Sequence, residues 1–335
     1  MPQLVQPSAP AEGFAFTLTF AGQLKREMIS RRNIRVKVMQ TIYSIRSGSL
    51  PVLANGDAEK ILKKHFNLTL SLLTYQVWFL TEVARYAETD ARNRGSKHLP
   101  SNEDLAVAVK ISGNELLWRI LESDFFKRAK TQFRPELIDS EDWVRSVYHK
   151  LVPSTEYAVY NSEPGRNKKQ EKEILEFIFN DLMLANEDFV SFAEDRFNNW
   201  DDDAEMLRML ILQYLQKPGT FKLEEMIGKE KFDFAKELLE ITELKNEQLD
   251  ELIKPKLRNW DAERVAQLDM ILLQMGVSEF LFFDTIPPKV TINEYIDLAK
   301  AYSTPQSGHF VNGILDSVRK ELENQNRLNK VAYKK

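Results

Sequence analysis

The chain has 335 residues, of which 43% are hydrophobic and 29% charged, with 12 Gly, no Cys and a formal net charge of −4. That length is enough for a sizeable core in one large or two ordinary domains. The slight acidity excludes a protein that coats nucleic acid indiscriminately, so a nucleic-acid site has to be a local basic patch. The lack of Cys excludes disulfides and thiolate metal sites and fits a cytoplasmic setting. No apolar run approaches the roughly 20 residues of a membrane span, so no membrane partner is expected. Alternating β-branched runs are scarce, and the expected fold class is all-α.

Residues 1–27 have no basic stretch followed by a continuous apolar one, and are expected to be a flexible tail or an over-extended start. The first firm helix spans 28–47. Ile34, Val38, Ile42 and Ile45 form its apolar stripe, and Arg31, Arg32 and Arg35 are mutual neighbours at helical spacing. Gln40 and Tyr43 extend that basic strip along the helix. Guanidinium groups beside an aromatic ring suit single-stranded RNA, whose phosphates bind cations and whose splayed bases stack on rings. Taken alone, the strip fits a solvated face with Tyr43 half-buried better than it fits an RNA contact.

A Gly- and Pro-containing loop precedes an amphipathic helix over 58–92, apolar nearly all round at Leu68–Leu80 and long enough to suggest two helices. Two or three more helices are expected in 102–161. The basic run Arg166, Asn167, Lys168, Lys169 reads as a solvated loop.

Between 170 and 275 the chain repeats itself: Phe189 aligns with Leu249, Phe192 with Leu252, Phe197 with Leu257, and Asn199-Trp200-Asp201 with Asn259-Trp260-Asp261. The first copy runs on into Lys217-Pro218-Gly219 and has no counterpart of the Pro287-Pro-Lys-Val290 stretch that lies beyond the second. The acidic cluster Asp201, Asp202, Asp203 and Glu205 is explained by a helix start, where carboxylates meet free N–H groups, rather than by a metal.

Residues 284–316 predict two helices and a tight connection. Pro287 and Pro288 break the preceding helix, and Thr291 with Glu294 has capping-box spacing, so a helix is expected from about Ile292. Ile292, Tyr295, Ile296, Ala299 and Tyr302 share one face. Ser307 is placed to cap a last helix with Phe310, Ile314 and Val318 as one stripe and Val311, Leu315 and Leu322 as its neighbour; Gly313 leaves room for a close crossing.

These residues resemble a known family. The run Ile286-Pro-Pro-Lys-Val290, Ile292-Asn-Glu294, Leu298-Ala-Lys300 and Phe310-Val-Asn-Gly-Ile-Leu-Asp316 is similar to the C-terminal half of NusB, the bacterial antitermination factor. Phe234–Leu239 and Leu249–Pro255 extend the likeness upstream, and the arginine-rich first helix is similar to the family's own. The resemblance implies a NusB-like bundle in which 28–47 and 229–323 form the RNA-binding core, 48–228 is a helical insertion and 324–335 a C-terminal tail. It implies binding of boxA-type single-stranded RNA in ribosomal leader transcripts, with the ribosomal protein NusE, inside the RNA polymerase antitermination complex. The implied RNA residues are Arg31, Arg32, Arg35, Gln40 and Tyr43, with Gln306, Ser307, His309 and Phe310 at the start of the last helix. Asp269 is implied to face the protein partner. His309 stands where the family often has lysine, and Gln306 where an acid stands.

No enzyme is expected. His65, His98, His149 and His309 are scattered, and no HExxH, GxGxxG, GxxxxGK or GxSxG occurs. The expected mechanism is assembly, without cofactor or metal. The alternative is an interaction scaffold whose RNA site has decayed.

Overall fold

The computed structural model describes residues 30–48, 57–216, 228–257 and 265–331. Among them every regular element is helical, and the chain is all-α as its composition predicts. Residues 1–27, Lys217-Pro218-Gly219, Asn259-Trp260-Asp261 and 332–335 lie outside the described residues.

Helix α1 (Arg31–Arg46) starts at Ser30, whose hydroxyl accepts from the Asn33 N–H. Its stripe is buried at Ile34, Val38 and Ile42. Helix α2 (Asp57–Gly95) is a single helix of 39 residues, not two: no Pro or Gly interrupts it before Gly95, and neighbours cover its middle on nearly every side. After it come α3 (Asn102–Leu105), α4 (Glu115–Glu122), α5 (Asp124–Phe133), α6 (Glu141–Leu151) and α7 (Thr155–Ser162), of which α3, α5 and α6 pack on α2. That is more and shorter helices than expected in 102–161, because polar caps restart the chain repeatedly. Ser101, Asn114, Ser123 and Ser154 each accept a backbone N–H at a helix start.

Helix α8 (Lys168–Phe177) runs into a π-helical turn at Ile178–Met183, then α9 (Glu187–Arg196) and α10 (Trp200–Gln216). Phe189 and Phe197 in this stretch are buried, as are Leu249 and Leu257, their counterparts in the second copy.

The C-terminal unit comprises α11 (Lys229–Leu244), α12 (Asn246–Ile253), α13 (Gln267–Phe282), α14 (Pro288–Tyr302) and α15 (Ser307–Asn324). Helix α13 is buried almost continuously from Ile271 to Phe280, with α11 and α12 on one side and the α14–α15 hairpin on the other. Helix α1 packs mainly on α11, α2 and α13, and α15 is not among its main partners. The buried side chains form one continuous cluster from Ile34 to Leu322, with α2 crossing between the two halves.

Three details differ from the sequence reading. Helix α14 begins at Pro288, a turn before Ile292, because proline suits the first helical position, where no N–H partner is needed. Thr291 and Glu294 are therefore not a capping box: the Thr291 hydroxyl donates to Glu279 (3.0 Å) and Glu294 pairs with Arg35 (3.1 Å). Close helix contact occurs at Gly276, where a Cβ would come within 2.9 Å of Leu315 Cδ2, whereas Gly313 faces open space.

Candidate nucleic-acid interface

The predicted arginine strip divides three ways, because neighbouring side chains on α1 meet different partners once the helix packs. Arg35 is buried, and its guanidinium donates to both oxygens of Glu279 (2.7 and 3.0 Å) and to Glu294 (3.1 Å). Burial opposes its charge, but Glu279 and Glu294 hold its pKa above the ordinary value. With its donors taken inside the core, Arg35 is unable to reach RNA, which corrects its assignment. Arg31 is exposed and lies over the Phe234 ring of α11, 5.9 Å from the centroid. Arg32 is half-buried and near enough to Tyr302 for its charge to pull against the rise in that phenol's pKa. Among the described residues neither Arg31 nor Arg32 is in an ion pair.

Gln40 and Tyr43 point to a groove of about 470 Å³. Its walls are Met39, Gln40 and Tyr43 from α1, Ala266–Leu268 at the start of α13, and Tyr302–Thr304 at the end of α14. None of these is charged. Tyr43 is 44% exposed, which leaves its ring open for stacking. The groove thus joins the first helix to the loop before the last one, as a composite site requires, though with α13 rather than α15 completing it.

At the start of α15 the predicted residues separate by burial. Gln306 and His309 are exposed beside the groove, while Ser307 (2%) and Phe310 (7%) are buried. Ser307 does not cap α15; the Ser307 hydroxyl donates to Asp269 (2.7 Å) and lies 2.8 Å from the Thr304 hydroxyl. This bond draws Asp269 into the core, 6% exposed, so it positions the Thr304–Ser307 turn and does not face a partner. Phe310 is buried, which removes its ring from stacking on a base. Gly308 fits because a Cβ there would meet the Lys300 stem at 2.9 Å.

Two residues the sequence reading did not assign to the site organise it. Tyr302 donates its hydroxyl to Asp202 Oδ1 (2.5 Å), and the Gln40 amide donates to Asp202 Oδ2 (2.6 Å). Burial, followed by Asp202 itself, pushes the Tyr302 pKa up, so the phenol keeps its proton. Beside them, buried Lys37 pairs with Asp203 (2.8 Å), which also accepts from Thr69 and Asn199. Only an acidic run at a helix start signalled Asp202 and Asp203 in the sequence; their contacts to Gln40 and Lys37 cross 162 and 166 positions. Among the described residues no cluster of His or acidic side chains is arranged to hold a metal, and no helix is long and apolar enough to cross a membrane.

A family profile described as the NusB family matches residues 195–320. The transcription antitermination protein NusB of Salinibacter ruber is 46% identical over 100 residues, 30% of this chain and 62% of that protein, less than two thirds of its length. NusB of Natranaerobius thermophilus is 35% identical over 99 residues, covering 71% of its length, and NusB of Koribacter versatilis 34% identical over 124 residues, covering 85%. No solved structure matches the chain.

Proposed function

This chain belongs to the NusB family, and from that premise we propose that it is a transcription antitermination factor acting on boxA-type single-stranded RNA. It does so in the cytoplasm, together with the ribosomal protein NusE, as part of the RNA polymerase antitermination complex. The observation that carries the reading is the uncharged groove between α1 and the α13–α14 end, with Tyr43 exposed in its wall and Arg32 on its flank. An aromatic ring and hydrogen-bonding groups in a neutral groove suit a splayed base, and a flanking guanidinium suits the adjoining phosphate. Gln306 and His309 extend the surface along the loop. The work is assembly, and no bond chemistry is assigned to any residue.

The test is binding of labelled boxA RNA against a scrambled RNA, with and without NusE. The double variant R31A/R32A is expected to weaken binding and to lower the slope of log affinity against log salt by roughly 0.7 per lost phosphate contact. Equal retention of boxA and scrambled RNA by the unaltered chain would refute the reading.

A further inference from the structure

Asp202 lies outside the groove lining yet bonds to both sides of it. Each carboxylate oxygen takes one donor, Gln40 Nε2 from α1 and Tyr302 Oη from α14. Its backbone carbonyl accepts a third, from Asn33 Nδ2 (3.2 Å). An ionised carboxylate only accepts hydrogen bonds, so it dictates which way its partners turn. The Gln40 amide must place its nitrogen toward Asp202, leaving Oε1 with no partner among the described residues, and the Tyr302 proton is committed, leaving that oxygen to accept.

Resting on the function proposed above, we infer that Asp202 is a positioning residue that sets the hydrogen-bond polarity of the groove. The two fixed walls then offer acceptors, and the groove selects a base carrying an exocyclic amino group over its keto counterpart. Nearby, the Ser303 and Thr304 hydroxyls are engaged with the Ser307 hydroxyl (3.0 and 2.8 Å) independently of Asp202, and Gln267 carries an exposed amide that imposes no polarity of its own.

Asp202→Asn is the informative change. Asparagine offers one acceptor and one donor in place of two acceptors, so either Gln40 or Tyr302 must present the opposite polarity to the groove. Asp201→Asn removes the same charge one residue away, from an exposed side chain, and controls for electrostatics.

The experiment titrates the full chain and both variants with boxA RNAs in which each adenine in turn is replaced by hypoxanthine and each cytosine by uracil, exchanging an amino donor for a keto acceptor. The unaltered chain is expected to lose about tenfold in affinity at one position, the scale of one unsatisfied hydrogen bond. D202N is expected to reduce that loss below about threefold or invert it, with D201N retaining it. If D202N does not fold, Tyr302→Phe, which deletes one acceptor and keeps the ring, is expected to reduce the loss in the same way. A chain that prefers boxA to scrambled RNA but discriminates at no position overturns this inference and leaves the proposed function standing. A D202N variant that binds every RNA more tightly by one common factor also overturns it, making Asp202 a mere repellent of phosphate. Failure to prefer boxA at all removes both.

Discussion

Glu279 accepts hydrogen bonds from Arg35 Nε and Nη2, Thr291 and Tyr295 while fully buried, and so joins α1, α13 and α14 at one carboxylate. A buried ion pair offsets its desolvation only while both partners and their hydrogen bonds remain, so removing one partner is costly. Arg35→Ala is therefore expected to destabilise the chain by about 3–5 kcal/mol. Arg32→Ala should stay within about 0.5 kcal/mol in a urea titration, since it breaks no such network. The same variants should divide the opposite way in RNA binding, with R32A weakening it. The glycines make a second contrast. Gly276→Ala drives a Cβ to 2.9 Å from Leu315, and overpacking of this kind costs about 1–3 kcal/mol. At Gly313 nothing lies within 4 Å, and Gly313→Ala is expected to stabilise α15 by about 0.5–1 kcal/mol, read from paired melting curves.

Helix α2 carries a titrating group where it passes the first helix. Burial, then the charges of Lys37 and Lys64, lower the pKa of His65, against a smaller opposing pull from Asp203 and Asp202. The folded state thus prefers neutral His65, and the unfolded chain takes up the proton first as pH falls. Stability from this group is complete above its ordinary pKa of about 6.5 and declines as pH drops below it toward the lower folded value. His65→Gln should make the urea midpoint less sensitive between pH 7 and 5; an unchanged slope would show that the carboxylates alone govern it. Element boundaries obey the same local chemistry. Ser101, Asn114, Ser123 and Ser154 start helices that apolar periodicity alone had merged, and the start of α14 at Pro288 was hidden by a stronger-looking signal at Thr291, whose hydroxyl the tertiary structure takes for Glu279.

At the scale of the molecule the long segment between α1 and α11 shares the core of the C-terminal unit. The buried cluster is continuous, and Lys37–Asp203 ties α1 to α10 at full burial. Four of the five tryptophans, Trp78, Trp118, Trp143 and Trp200, lie in that segment, so fluorescence reports on it while far-UV circular dichroism reports on every helix. The two urea transitions are expected to coincide, as for one cooperative unit. Asp203→Ala should lower both midpoints together, because it strands Lys37 in the interior. A fluorescence transition that precedes the loss of helix would mean that the segment unfolds alone.

Helical class, the apolar stripes of α1, α14 and α15, and the family likeness were all legible in the sequence, because each depends on residue type at short, fixed spacing. Ile34, Val38 and Ile42, or Phe310, Ile314 and Val318, declare a buried face wherever the helix packs. The spacing left open which polar residue on the other faces meets a partner. Arg32 and Arg35 look alike at three positions' remove, yet one flanks a groove and the other is consumed by Glu279, 244 residues away. Ser307 and Asp269 lose their surface roles to each other, and Asp202 gains a place at the groove from an otherwise ordinary helix start. Burial and hydrogen-bond pairing are properties of the neighbours brought together in space, so only the tertiary structure decided them.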